Sequence, residues 1–523
     1  MFFNYSYATP SAFESTREHN SVDLAANERR PVRFHGKVKS SPFLIRVVLR
    51  ALGEVIWSNH NYESWMNSVL DPVITVHPDR IFFEAFSQDQ SAYAQVRLNP
   101  ALFEPQGKIT CGTTNIDFTA WLWAALAEMR SSRETWFRID SGGFEIRTQD
   151  AGGRFEQKVE IPDSWVRGFL ALQDAMAMPG TRLHCRPVDI LAAIRYLKYG
   201  KSRLSPKALR YEFEPGEDAK IVLEPWEQEI PLKGTAHNYG ESHRFRVWGR
   251  RRLRLLEPVL PFADSVDVYL KGRALPSFYV VSLPGIQFIL GLSGWSAAEW
   301  SKPGGLSLTG AKGKPSAEIE KRTWDIIRKQ TTVSARDLAK SLGCELPEAN
   351  DALRYLCREG RAIYDLDTRK FRHRELFEDT PDLEKLFPPD LRSEKAEKFI
   401  ADNLVEIQQC FIEEMKKVKK LHTPDGPVRR EIVYRDWKVE GRAGDEESVM
   451  IKISDHGKII FGTCGCAFFR DNILNQGPCE HMLALFEASS AQRVDRPVST
   501  DAGDSRPPVI NYELDEDHYD EEE

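Results

Sequence analysis

The chain has 523 residues, of which 41% are hydrophobic and 28% are charged, and its formal net charge is −7. This length exceeds a single hydrophobic core and predicts several domains, while 12 Trp and 28 Phe exclude a largely disordered protein. No apolar stretch reaches the length of a membrane span and the polar start lacks a signal-peptide core, so we expect a soluble cytoplasmic protein that binds no membrane.

The N-terminal half shows strands and helices in mixed order. Residues 1–31 are polar and poorly patterned, which predicts a flexible arm. Residues 32–300 predict an α+β region, either one unit or two subdomains that divide near residues 180–205.

Within this region a helical stripe over 40–55 precedes paired strands within 80–98. Two strand–strand–helix units follow at 108–130 and 136–176, and each helix carries a Trp with aliphatic residues. Three further strands within 265–291 have the spacing of a β-meander. Together they predict helices on one face of an antiparallel sheet.

A short basic run lies within this region and includes Arg250, Arg251 and Arg252. Arginine beside an aromatic residue can hold phosphate or stack on a base, which makes these three candidates for nucleic-acid or partner contact. The other interpretation is that the neighbouring leucines form a buried helix face and the arginines are its solvated side.

Residues 301–316 are rich in Gly, Pro and Ser and predict a linker. Residues 317–376 then show three short helices and a hairpin. Ser334 is placed to cap the second helix and Gly343 to end it. This order resembles a winged helix-turn-helix, a fold in which the third helix normally enters the DNA major groove.

The winged-helix-like segment supplies further candidate contacts. The third helix presents Arg354 and Arg358, but Glu348 and Asp351 beside them would face phosphates, so a structural or protein-docking role stays open. The hairpin is the better candidate for phosphate, and its basic residues are Arg369, Lys370, Arg372 and Arg374.

Residues 377–426 predict a helical connector. Phe399, Leu404, Ile407, Phe411 and Met415 give one long amphipathic stripe. We expect it to pack the C-terminal module against the winged-helix-like segment.

The most specific motif follows the connector. It consists of Cys464-Gly465-Cys466, twelve residues, and Cys479-Glu480-His481. A strand pattern leads into the first pair, and a helix pattern follows the second. Cys464, Cys466, Cys479 and His481 make a closed set of three thiols and one imidazole, the usual ligand list of a structural Zn²⁺ site.

This motif resembles the SWIM zinc finger, Cys-x-Cys followed by Cys-x-His, and all four ligand positions match. Strand patterns at 431–438 and 448–453 match its lead-in. Over residues 427–490 the resemblance implies a small ββα zinc module that binds nucleic acid or protein and is not a catalyst. Together with the N-terminal α+β region and the winged-helix-like segment, this module predicts an α+β multidomain protein.

No P-loop, Gly-x-Ser-x-Gly elbow or His-Glu-x-x-His motif is present, so we expect no enzyme. The favoured function is a zinc-binding adaptor with a protein partner. By resemblance to bacterial proteins of this layout, AAA ATPases of the MoxR type and von Willebrand A proteins are candidate partners. Two alternatives stay open: a nucleic-acid-binding regulator, and an enzyme whose site lies unrecognised in the N-terminal region.

Residues 491–523 predict a disordered acidic tail. Eight of the 78 acidic residues lie between Asn511 and Glu523, so the rest of the chain is close to neutral. If nucleic acid binds, deleting Asn511–Glu523 is expected to tighten binding at low salt, because eight acids compete for the same basic surface. Fluorescence anisotropy of full-length and truncated protein measures this, and equal affinities would assign the tail another role.

Overall fold

The computed structural model describes most of the chain. The described residues are 2–57, 72–87, 90–130, 132–141, 155–160, 163–200, 208–235, 237–247, 250–271, 276–292, 314–377, 381–387, 391–423, 426–453, 459–474 and 477–494. The predicted linker, apart from its last three residues, and most of the predicted tail lie outside them.

Strands and helices alternate irregularly along the chain. The strands are β1 (Phe2–Tyr7), β2 (Ala12–Ser15), β3 (His19–Ala25), β4 (Phe34–Val38), β5 (Val73–Val76), β6 (Ile81–Phe86), β7 (Ala92–Leu98), β8 (Phe103–Pro105), β9 (Gly112–Asn115), β10 (Glu134–Asp140), β11 (Phe155–Glu160), β12 (Gly180–Cys185), β13 (Leu209–Phe213), β14 (Lys220–Leu223), β15 (Gln228–Pro231), β16 (His243–Val247), β17 (Ser265–Lys271), β18 (Ser277–Leu283), β19 (Ile286–Leu292), β20 (Thr332–Val333), β21 (Ala362–Asp365), β22 (Lys370–His373), β23 (Val405–Thr423), β24 (Gly426–Ala443), β25 (Glu446–Ile453) and β26 (Ile459–Thr463). The helices are α1 (Pro42–Trp57), α2 (Ala120–Ala125), α3 (Asp163–Ala177), α4 (Pro187–Tyr199), α5 (Ala317–Gln330), α6 (Ala335–Leu342), α7 (Leu346–Arg358), α8 (Leu383–Leu386), α9 (Leu391–Ala401), α10 (Ala467–Asn472), α11 (Glu480–Ala488) and α12 (Ser490–Val494). This mixture confirms the predicted α+β class. No helix in the described part of the chain is long and apolar enough to cross a membrane.

The chain divides into two compact units. The first contains Met1–Lys198, Pro231–His237 and Val247–Pro388, and the second contains Tyr199–Ile230, Asn238–Arg246 and Pro389–Glu523. The chain therefore leaves the first unit after Lys198 and returns to it twice.

An eight-stranded antiparallel sheet is the centre of the first unit. Its strand order is β12-β17-β18-β19-β7-β6-β5-β9, and the predicted meander forms β17, β18 and β19. Apolar residues such as Phe83 and Val96 pair on one face. On the other face Phe169 of α3 packs edge-on against Phe86, with ring centroids 4.8 Å apart. Burial on both faces explains why the strands read as continuous apolar runs.

The face under α3 also carries a row of polar residues. Strand register places Glu84 opposite Gln95 and Arg97 opposite Gln287 on this face. Glu84 is fully buried, and Gln95 and Arg97 are nearly so. Buried charges are costly unless they are paired, so this row requires a partner segment that brings complementary charge.

Residues 361–377 supply that partner. Arg374, itself fully buried, donates to Glu84 Oε2 over 2.9 Å. Asp365 accepts from Arg97 over 2.6 Å, and Asp367 from Gln287 over 3.2 Å. Burial alone would raise the pKa of Asp365, but Arg97 and Arg80 outweigh it and lower that pKa to about 2.

The segment before this contact contains α5, α6 and α7 and a small sheet of order β20-β22-β21. The Ser334 hydroxyl caps α6 by accepting from the Asp337 backbone N–H over 3.1 Å. Gly343 ends the helix with a left-handed φ of 71°, which glycine adopts without strain. The two caps and the hairpin lie at the residues predicted from the sequence.

Two expectations for the first unit were wrong. Residues 2–25 contain strands β1, β2 and β3 instead of a flexible arm, and β3 is buried beside β10, to which it runs parallel. β1 pairs with β11. Trp121 is 86% exposed, and the neighbouring Trp123 packs inward, donating from Nε1 to the Arg50 carbonyl. Polar composition concealed these strands, and two of their pairings, β1 with β11 and β3 with β10, join segments that are distant in sequence.

The second unit contains two four-stranded sheets. The first has the order β15-β14-β13-β16, and the second runs β23-β24-β25-β26 in chain order. Helix α11 lies against the second sheet, where Met482 and Leu485 are fully buried with Val439 and Ile451.

The prediction of a helical connector over 377–426 was wrong for the second half of that range. Helix α9 ends at Ala401, and Val405–Thr423 forms strand β23. Ile407 and Cys410 pack into the core from this strand, with a register shift between Ile407 and Gln409. Ile407, Phe411 and Met415 therefore lie on a strand, and Phe411 is 38% exposed, so these residues form no buried helix face.

The buried pair Glu84–Arg374 gives a stability prediction. Glu84→Gln is expected to lower the free energy of unfolding by about 3–5 kcal/mol, because the Arg374 charge stays buried without compensation. The double variant Glu84→Gln/Arg374→Met should recover most of this loss. Urea unfolding measures both, with the exposed Glu104→Gln as the matched control. A Glu84→Gln variant as stable as the control would contradict the assignment.

Candidate metal centre

The first two cysteines follow the last strand of the second sheet. β26 ends at Thr463, and Cys464 comes directly after it. Cys466 is the N-cap of α10, where its Sγ accepts from the Phe469 backbone N–H over 3.4 Å. A backbone donor of this kind favours the thiolate that a metal requires. Helix α10, within the twelve-residue gap, was not predicted.

The second pair of residues opens a helix. Cys479 is the N-cap of α11, and His481 lies in its first turn. The helix therefore begins at Glu480, between the two residues. Both side chains point into the core, with Cys479 fully buried and His481 3% exposed.

The four side chains converge on one point. One ligand atom from each of Cys464, Cys466, Cys479 and His481 lies within 4.8 Å of all the others. His481 Nδ1 is 3.7 Å from Cys464 Sγ. A tetrahedral ion with bonds of about 2.3 Å to sulfur and about 2.0 Å to nitrogen separates its ligands by roughly 3.5–3.8 Å. The cluster therefore has the dimensions and the donor set to bind a metal ion.

Two neighbours fix the orientation of the imidazole. His481 Nε2 lies 2.9 Å from Asp445 Oδ1, which leaves Nδ1 facing the cysteines. The ring of Phe399 stacks on the imidazole with centroids 5.3 Å apart and planes 16° apart. A carboxylate on the outer nitrogen sets the tautomer and raises the basicity of the metal-facing nitrogen.

The thiols have unequal proton affinities. A hydrogen bond from Cys464 and further ones from His481 and the Met482 backbone outweigh burial and lower the pKa of Cys479 to about 4. The same contact with Cys479, together with burial, raises the pKa of Cys464. Cys479 therefore loses its proton more readily than Cys464, and metal binding would displace the protons that the cysteines still carry.

One glycine shows how tightly the sheet approaches this core. A Cβ on Gly441 would lie 2.2 Å from the backbone oxygen of Glu406 and 2.9 Å from Leu485. β24 can therefore pass between β23 and α11 only with glycine at this position.

Sequence reasoning identified all four clustered residues but missed Asp445 and Phe399. Asp445 precedes His481 by 36 residues and lies in the turn between β24 and β25. The Gly444-Asp445 pair between two predicted strands marked the turn, but nothing in the linear sequence linked it to a histidine.

The two arginines of α7 that were predicted to contact nucleic acid or a partner lie inside the first unit. Arg354 forms a two-pronged ion pair with Asp174 of α3, at 2.6 Å and 3.0 Å. Arg358 is 7% exposed beside it. This face of α7 lies against α3 of the same unit and not against solvent, because Asp174 is a fully buried charge that needs a cation.

Of the basic residues of the hairpin, two form buried ion pairs and two are exposed. Arg374 binds Glu84, and Arg372 binds both oxygens of Asp79, at 2.7 Å and 2.6 Å. These two are 0% and 2% exposed, so the expectation that they face phosphate is corrected. Arg369, in the turn, and Lys370, the first residue of β22, are exposed.

The run at Arg250, Arg251 and Arg252 forms a 3-10 helix. Leu253, Leu255 and Leu256 are buried in its core-facing side, as the solvated-face interpretation requires. Arg251 is exposed and Arg252 half-buried, whereas Arg250 is buried.

No family model and no curated protein matches the chain. Among solved structures, it is similar to the proliferating cellular nuclear antigen of Entamoeba histolytica, with 13% identity, coverage of 50% of this chain and 99% of that chain, and a TM-score of 0.33. The PCNA2–PCNA3 complex of Sulfolobus tokodaii gives 12% identity, coverage of 50% and 98%, and a TM-score of 0.32. At TM-scores this low, neither likeness bears on function.

Asp445 gives a prediction specific to the outer contact. Asp445→Asn is expected to weaken metal affinity by about 10–100-fold without abolishing binding, because the ligands remain while the His481 tautomer is no longer fixed by a carboxylate. Competition with a chromophoric chelator measures the affinity. Glu447→Gln, an exposed acid on β25, is the matched control. Equal metal affinities for the two variants would mean that Asp445 does not contribute to metal binding.

Proposed function

We propose that residues 427–490 act as a zinc finger similar to the SWIM type, and that its zinc has a structural role. The observation that carries this proposal is the convergence of three thiols and one imidazole within 4.8 Å. Thiolate-rich tetrahedral sets favour Zn²⁺ over the harder cations that prefer oxygen ligands. The protein fills all four positions, which leaves no position for a water nucleophile.

The proposed role of the whole chain is that of a non-catalytic adaptor with a protein partner. In the winged-helix-like segment, 317–376, Arg354 and Arg374 are engaged by Asp174 and Glu84. A segment held in this way supports a docking role within the protein better than a DNA-reading role. An AAA ATPase of the MoxR type or a von Willebrand A protein remains the proposed partner, on the resemblance alone.

The metal would contribute stability that this part of the chain has little other means to obtain. The core around the cluster consists of few fully buried residues, among them Ala396, Val439, Ile451, Met482 and Leu485. Small cores commonly need a metal to offset chain entropy. Structural zinc contributes on the order of 10 kcal/mol, as much as the whole stability of a typical domain.

Chelation is therefore expected to unfold the C-terminal part of the second unit first. Because Ala396 and Phe399 pack on the same core, protease cuts should appear throughout 391–494 and leave a stable fragment that ends near residue 388. Limited proteolysis with and without chelator measures this. Cys464→Ser should give the chelated pattern without chelator, and Cys344→Ser, outside the cluster, should give the native one.

Two results would contradict a local structural role for zinc. One is an unchanged cleavage pattern after the metal has been removed. The other is digestion of the whole chain at once, which would mean that the first unit also depends on the metal.

A further inference from the structure

Strands β23 and β24 continue well beyond the sheet from which they start. β25 pairs with β24 only from Trp437 to Ala443. Beyond that point Glu413–Thr423 pairs with Gly426–Asp436, and no third strand pairs with them in the described part of the chain. At about 3.4 Å per residue the two-stranded part is roughly 35 Å long. We call it the ribbon.

The ribbon has a charge opposite to that of the chain as a whole. Between Lys416 and Arg435 there are seven Lys or Arg residues and two acids, in a chain whose net charge is −7. On β23, the side chain of Lys416 is 60% exposed and Val418 is 67% exposed. The sequence had assigned the start of this region to a helix, so its basic pattern was not recognised.

Strand register places like charges opposite each other in the ribbon. Lys419 lies opposite Arg430, and Lys420 lies opposite Arg429. Like charges directly opposite each other destabilise an antiparallel pair. Successive positions in a strand belong to opposite faces, so both faces carry one such pair at this level. Four cations around two strands indicate a polyanionic partner.

Protection of an exposed edge is the competing explanation. Lysine on an edge strand discourages pairing with another chain, and charge of either sign does so. Edge protection, however, does not require a second cation at each opposing position. It also predicts that four glutamates would serve as well as four cations, which separates the two explanations.

We propose that the ribbon binds duplex DNA through its phosphate backbone, with the two strands lying in the major groove. Two strands about 4.8 Å apart fit a groove about 12 Å wide, which admits a β-ribbon. Cations on both faces remain close to the phosphates that flank the groove. This inference goes beyond the proposed zinc-dependent adaptor and uses none of Arg354, Arg358, Arg372 and Arg374.

The test is binding of the full-length, metal-loaded protein to a fluorescent mixed-sequence DNA duplex of about 20 base pairs, measured by anisotropy at several salt concentrations. The variant Lys419→Gln/Lys420→Gln/Arg429→Gln/Arg430→Gln is expected to bind at least about tenfold more weakly. Its slope of log affinity against log salt should fall by about 3.6, because each of the four lost phosphate contacts removes about 0.9.

The matched control removes the same charge from the exposed faces of α5 and α6, as Lys321→Gln/Lys329→Gln/Arg336→Gln/Lys340→Gln. It should retain the wild-type affinity to within about twofold. A further variant, Lys419→Glu/Lys420→Glu/Arg429→Glu/Arg430→Glu, keeps the edge charged and should show no binding while remaining monomeric. Unchanged metal content in each variant shows that the zinc module is intact, which separates this test from that of the proposed function.

Three outcomes would overturn the proposal. They are wild-type protein that does not bind the duplex at about 50 mM salt, a ribbon variant that binds as tightly as the control, and equal affinity for an RNA duplex of the same length. The last would contradict the groove assignment, because the major groove of A-form RNA is too narrow for a ribbon.

Discussion

The ion pair between Glu84 and Arg374 is the interaction on which the first unit depends. Both side chains are fully buried, so neither charge is stable without the other. Glu84 also accepts from Tyr93, and the buried Arg97 beside it is neutralised by Asp365. One face of the large sheet is consequently completed only when residues 361–377 cover it. The winged-helix-like segment is thus part of the packing of this unit.

The second unit has no comparable ion pair at the centre of its C-terminal core in the part of the chain that the structure describes. Its C-terminal core is small, and the four potential ligands lie where β26 ends and α10 and α11 begin. One contact, from Asp445 to His481, joins the turn between β24 and β25 to the helix. The four clustered residues, the helix starts and the sheet therefore share one core, and the ribbon extends beyond it.

Features encoded locally could be predicted from the sequence, and features that depend on distant partners could not. The four clustered residues lie within one short stretch, and the caps Ser334 and Gly343 act on adjacent turns, so pattern was sufficient for both. Arg372 and Arg374 read as an exposed basic hairpin because Asp79 and Glu84, almost 300 positions earlier, gave no sign of being their partners. The apolar spacing in β23 resembled that of a helix because a spacing of four residues fits both a helix face and an alternating strand.

The separation of Glu84 and Arg374 in the chain also determines the order in which the protein can fold during synthesis. The two residues are 290 positions apart, and β7 meets β19 only after Leu292 has been made. Closing so long a loop comes late, and a growing chain folds from its N-terminus. Until Arg374 leaves the ribosome, the polar face of the sheet must stay hydrated. The Cys464–His481 stretch needs no such delay, because its ligands emerge almost together.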